Sequence, residues 1–380
     1  MTVPPSDFPP GDEPGQPPEP SGPVLFTPGA PAGPVPPGPQ GELAAEWAGR
    51  LWRAVEAGDE YVALKTVRDA LDAGLEPESV LLDVIGAVQH RVGVEWAADR
   101  MSVAAEHAAT AISDRAVAAL PPQENPEPRG RVTVACVDGE WHALPARLLT
   151  EVLRLRGWQV DYLGAQVPSS HLVSPLHRTG SETVALSSSL PTRLPTAHAA
   201  ITACQAAGAP VMVGGAAFGP GGRYARVLGA QAWAPDARAA ADRLAEGIPL
   251  PAGGRPAGEL PHLRDQEYTM VKRSSRELVR ATFSGLEKRC PAMADYSEAQ
   301  RERTAEDLAH IVDFLGAALY VDDVGLFTGF LGWTSDILAA RGVPPASLLP
   351  GLDLLDEQLR DFPRTRNLLA RGREAVEERC

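Results

Sequence analysis

Gly139-Glu140-Trp141-His142-Ala143-Leu144-Pro145 follows a run that reads as a buried strand, Arg131-Val132-Thr133-Val134-Ala135-Cys136-Val137, and precedes a helix-like segment that starts at Ala146. Strand, loop and helix in that order make the repeating unit of a parallel α/β sheet. Residues at the carboxyl end of a strand in such a sheet stand where ligands bind. His142 has that position. Glu140, two residues earlier, is placed to take the second ring N–H of the imidazole and so to orient it as a metal ligand. An E-x-H triplet also arises by chance, so the reading depends on the rest of the chain.

The chain has 380 residues, room for two or three domains. A formal net charge of −14 is the opposite of what a nucleic-acid surface needs, so no nucleic-acid partner is expected. The four cysteines, Cys136, Cys204, Cys290 and Cys380, have no C-x-x-C spacing. They point to a reducing compartment without a disulfide framework. There is no charged-then-apolar leader and no apolar run of membrane-spanning length. A soluble cytoplasmic protein with no membrane partner is the expectation.

Residues 1–41 are crowded with Pro and Gly and read as a disordered tail, with none of the periodicity of a winged-helix DNA-binding domain. Residues 42–121 turn helical. Leu43, Trp47, Leu51 and Val55 recur every four residues, as one face of a helix does. A second helix at 61–73 ends before Gly74 and Pro77. Ser79 is the expected N-cap of a third at 80–96, and 102–120 is a fourth. Four helices with short loops make a four-helix bundle. Beyond a Pro-rich linker, residues 130–247 alternate strand-like runs (132–137, 159–163, 183–187, 211–214, 231–234) with helix-like segments. Such alternation means a doubly wound, Rossmann-like parallel sheet. Residues 248–266 are a second linker, and 267–380 read as helical throughout. The fold class is therefore α/β plus all-α.

Two loops at strand ends matter most. Leu186-Ser187-Ser188-Ser189-Leu190 closes the third strand, and Gly214-Gly215-Ala216-Ala217-Phe218 closes the fourth. Small residues there let a large flat group, or its tail, come close to the backbone. The first loop lacks G-x-G-x-x-G, which makes a dinucleotide a poor competitor.

Glu140-x-His142 resembles the E/D-x-H-x-x-G motif of cobalamin-binding domains, with Pro145 where those domains have Gly. The resemblance implies that His142 is the lower axial ligand of cobalt. It also implies that Ser187, Ser189, Gly214, Gly215 and Phe218 line a slot for the displaced nucleotide tail. In the bundle, Trp96, nine residues and Glu106-His107 resemble the W-x9-E-H signature of the helical cap of light-sensing adenosylcobalamin proteins. There the Trp packs on the adenosyl group, and Glu and His lie near it. Relatives that carry a second cobalt-capping His place it directly after the Trp; here that residue is Ala97, so a light state using that position is not expected.

The last third places Arg301, Arg303, Glu306, Asp307, His310 and Asp313 on one long helix beside an apolar stripe. A solvated face beside a core face would look the same. A pocket for a flat dicarboxylate would draw on the arginine forks. Tyr296-Ser-Glu-Ala-Gln-Arg-Glu-Arg-Thr-Ala-Glu-Asp-Leu resembles the carboxyl-terminal domain that accompanies cobalamin domains in the photocobilins. That implies a globin-like domain holding a bilin of the biliverdin type, with Tyr296, Arg301, Arg303, His310 and Trp333 as its contacts.

The leading expectation is a non-enzymatic photoreceptor that binds adenosylcobalamin and biliverdin, signalling as a homo-oligomer (a dimer) or through a downstream protein. The rivals are a corrinoid protein carrying methyl groups for a methyltransferase, and a cobalamin-responsive scaffold that binds a protein.

Overall fold

The computed structural model describes residues 39–121, 129–250 and 260–380. Most of the expected tail and of the first linker, and the middle of the second linker, lie outside them. Helix α1 (Pro39–Glu56) opens the described chain, so the last residues assigned to the tail are helical. Helix α2 (Glu60–Asp72) is capped by Asp59, whose side chain accepts from Val62 N. Next, α3 (Pro77–Ser79), a π-helical stretch (Val80–Gly86) and α4 (Ala87–Ala97) run on continuously. Ser79 is therefore not an N-cap: it has helical angles and no capping bond. Pro77, in the first turn, starts the helix earlier, because a proline there forgoes an N–H that has no partner anyway. Helix α5 (Val103–Ala118) is capped by Ser102.

The centre is a five-stranded parallel sheet: β1 (Arg131–Val137), β2 (Gln159–Val167), β3 (Thr183–Ser187), β4 (Val211–Gly214) and β5 (Ala232–Ala234). Helices α6 (Ala143–Leu155), α7 (Ser169–Thr179), α8 (Leu194–Ala206), α9 (Arg223–Val227) and α10 (Ala237–Glu246) alternate with the strands. The strand order is β2-β1-β3-β4-β5. In this arrangement the connection reverses between β1 and β3, and the crevice outside their carboxyl ends is the ligand position. β1 is buried almost throughout because helices cover both faces of a parallel sheet. Its alternation divides two cores. Val132, Val134 and Cys136 pack with α1–α5 and α6, whereas Ala135 and Val137 pack with α8 and the carboxyl-terminal helices.

Those helices are α11 (Glu267–Arg289), α12 (Glu298–Val321), α13 (Val324–Ala340), α14 (Leu349–Gln358) and α15 (Pro363–Glu377). Sequence periodicity places the first helix of this set at 277–288, and α11 starts ten residues earlier. Buried Glu267 fixes that start by accepting from Arg364 N, Thr365 N and Thr365 Oγ1 at the beginning of α15. A capping box between Ser297 and Gln300 opens α12. The set docks on the sheet side through His198 Nδ1 and Tyr320 Oη (2.8 Å) and through Tyr224 Oη, which donates to Asp323 Oδ2 (2.7 Å). Among the described residues no helix is long and apolar enough to cross a membrane.

Candidate functional site

β1 ends at Val137, and Gly139 turns the chain with φ +74°. Glu140 then points inward and is wholly buried. A buried carboxylate needs donors, and Glu140 has five. His142 N (3.0 Å) and His142 Nδ1 (2.5 Å) meet Oε1. Ser188 Oγ (3.0 Å), Ser189 N (2.7 Å) and Leu190 N (3.1 Å) donate to Oε2. Burial alone would raise this carboxyl. The hydrogen bonds and charge of His142, with the backbone donors, outweigh it and hold the group at about 2.

The imidazole is thereby fixed. Against a carboxylate, Nδ1 carries the proton, and Nε2 keeps the lone pair with no partner among the described residues. The side chain keeps 19% of its exposure, enough to be reached from the crevice. His142 is also the N-cap residue of α6, so that helix begins directly behind it. Pro145 falls in the first turn of α6, where a proline is tolerated, and the departure from Gly leaves the loop intact. Among the described residues no three His, Cys, Asp or Glu side chains converge to hold a bare metal ion. A lone oriented imidazole suits a metal that brings its other ligands with it.

Ser188 is the residue the sequence reading missed. Ser187 ends β3, opposite Cys136 and Gly214, and Ser189 contributes its backbone N–H to Glu140, not its hydroxyl. Ser188, wholly buried, bridges the β3 loop to the β1 loop. Gly215, φ +99°, lets the β4 loop touch the β3 loop; a Cβ there would stand 2.2 Å from Ser188 O. Gly214 lies beside Ala234 O. Phe218 is a correction: its ring is fully enclosed in the apolar core beneath the loop and lines no slot.

In the bundle, Trp96 closes α4 and is 4% exposed. Its ring stacks on Trp333 of α13, with centroids 6.4 Å apart and planes at 29°. Arg341 lies 5.5 Å from the Trp96 centroid and pairs with Asp99 at 3.3 Å. The Trp expected to cap one cofactor thus touches the Trp expected to wall another. Glu106 accepts from Thr110 Oγ1, and His107 Nδ1 lies 2.9 Å from both Glu106 Oε2 and Val103 O with 62% of its side chain exposed.

The five carboxyl-terminal residues do not form one cluster. Tyr296 is exposed. Arg301 pairs with Glu287 and donates to Met293 O (3.3 Å), while Arg303 Nε donates to Ala299 O (3.2 Å). Two residues apart on a helix, these arginines face different ways and cannot act as one fork. Arg303, Asp307 and His310 share a face. Asp307 and His310 are partly open yet surrounded by protein. Burial, then the charge of Glu306, raises the Asp307 carboxyl to about 6, and burial lowers His310.

Residues 47–120 match one family model and residues 130–245 another, each described as a B12 binding domain. A curated relative, the HTH-type transcriptional repressor CarA of Myxococcus xanthus, is 31% identical over 193 residues. The match covers 46% of this chain and 63% of the repressor, so the chain spans less than two thirds of that relative. The monomethylamine corrinoid protein of Methanosarcina barkeri superposes with a TM-score of 0.48 at 21% identity, over 54% of this chain and 99% of that one. A cobalamin-binding protein from Desulfitobacterium hafniense gives 0.32 at 19%, over 55% and 98%. At these scores the likeness says nothing about function. The two domain matches support a cobalamin as the cofactor.

Proposed function

We propose that this chain is a light sensor that holds adenosylcobalamin between the helical cap and the sheet, and a biliverdin-type bilin against its carboxyl-terminal helices. The observation that carries the reading is His142, fixed by buried Glu140 at the β1–β3 crevice with Nε2 left for a metal. The residues fit the cofactor. His142 would hold the metal through Nε2, and the glycines at 214 and 215 keep the β4 loop free of side chains beside the Ser188–Leu190 loop. A bound alkylcobalamin supplies a cobalt–carbon bond that visible light breaks.

The chain's own residues do the rest. Glu140 keeps the proton on Nδ1 and thus the lone pair on Nε2. Trp96 ties the cap to α13 through Trp333, and Arg341 ties α13 back to Asp99. A ligand shifts a conformational equilibrium only through unequal affinity for the two states. Trp96 is the side chain suited to that task, because any displacement of its ring is felt by two parts of the molecule. The bilin has narrower support: Trp333, the Arg303–His310 face of α12 and the resemblance of the last third. A regulatory, non-catalytic output, carried by a homo-oligomer or a downstream protein, accords with the relative's being a repressor.

The test is purification with adenosylcobalamin in the dark, followed by white light. The expected result is a changed absorption spectrum together with a changed association state. Unchanged spectrum and association, with methylcobalamin bound equally well, would favour a methyl carrier. Co-expression with a bilin-producing enzyme should add a long-wavelength band, and its absence would remove the bilin.

A further inference from the structure

We propose that Arg193 is an oxyanion-binding residue of this site, and that its partner is the phosphodiester in the nucleotide loop of the corrinoid; the inference rests on the corrinoid reading above. Arg193 ends the short 3-10 turn Pro191–Arg193, immediately after the three residues that hold Glu140. That turn packs against the turn Ala216–Phe218 beyond β4. The guanidinium lies across Gly139: a Cβ built there would stand 2.8 Å from Nη1 and 3.0 Å from Cζ. Arg193 therefore occupies the junction of the three loops that leave β1, β3 and β4.

Arg193 Nε is buried without a hydrogen-bond partner, and no carboxylate among the described residues pairs with the group. Arg147, whose Nε is also without a partner, still has Glu151 as its ionic partner, and Arg223 has Asp323; Arg193 has no such carboxylate among the described residues. Arg193 is partly exposed, but a guanidinium N–H buried without an acceptor is costly, so it marks a place where an anion completes the site. A planar guanidinium suits phosphate or carboxylate oxygens. The side chains around a corrin ring are neutral amides, and the nucleotide loop carries the phosphate. A bilin propionate on α12, which packs on the same turn, is the other source of an oxyanion. Contact with Gly139 and the Glu140 loop favours the corrinoid side.

The experiment compares cobinamide, cobinamide phosphate and cobalamin, all with the same upper ligand, by equilibrium binding to wild type, Arg193→Met and Arg193→Lys. Wild type should bind both phosphate-bearing corrinoids more tightly than cobinamide. Arg193→Met should lose about 10- to 100-fold on those two and leave cobinamide unchanged. Arg193→Lys should recover part of the loss. Retained cobinamide binding certifies a folded site. Equal losses on all three corrinoids, no loss on any, or a loss confined to biliverdin would overturn the assignment. A wild type that binds no corrinoid would overturn both it and the proposed function.

Discussion

Five donors converging on one carboxylate explain why Glu140, and not merely an acidic residue near His142, defines the site. A glutamine at position 140 would offer one carbonyl oxygen and turn an NH2 toward groups that are themselves donors. Glu140→Gln should therefore destabilise the folded chain by about 2–4 kcal/mol and free the His142 ring. Denaturant midpoints measure the first effect; a midpoint equal to wild type would show that the carboxylate charge is dispensable. The E-x-H pairing was legible in the sequence because both residues sit in one short loop. Ser188 was not, since its partner lies 48 positions away along the chain. Phe218 misled for the converse reason: an aromatic ring beside a Gly-rich turn looks the same whether it lines a slot or fills the core under it.

Elements were readable wherever a helix or strand has a buried face with a clear period. β1, β3 and β4 are examples. The start of α11 was not, because residues 267–276 are largely polar and a contact to α15 fixes them. Ser79 gave a false start for a local reason, since Pro77 opens the helix first. On α12, Asp307 shows what a partly enclosed face costs. Its folded pKa of about 6 lies above the ordinary 3.8. Between those values the folded state binds more protons than the unfolded state, so stability falls as pH rises through that window. Asp307→Asn should remove this dependence and stabilise the chain at pH 7 by on the order of 1–2 kcal/mol, with a smaller gain near pH 4.5. Denaturant midpoints of both proteins at the two pH values decide it; a gain that is the same at both, or absent at both, would contradict the assignment.

At the scale of the molecule, the sequence indicated a helical cap, a parallel sheet and a helical last third, but not how they meet. The Trp96–Trp333 stack, the Arg341–Asp99 pair and the His198–Tyr320 bond join segments far apart in the chain, and no local pattern announces them. They join the cap and the sheet side to the carboxyl-terminal helices, while the floor of the proposed site is the imidazole of one loop. The whole account depends on that floor. The most direct measurement is the electron paramagnetic resonance spectrum of the intact protein, grown with 15N-labelled histidine and loaded with cobalt(II) cobalamin. Ligation by His142 predicts doublet superhyperfine lines from 15N in place of the 14N triplet, and their loss in His142→Ala. A 14N triplet that persists in the labelled protein would mean that the vitamin's own base, not His142, holds the cobalt.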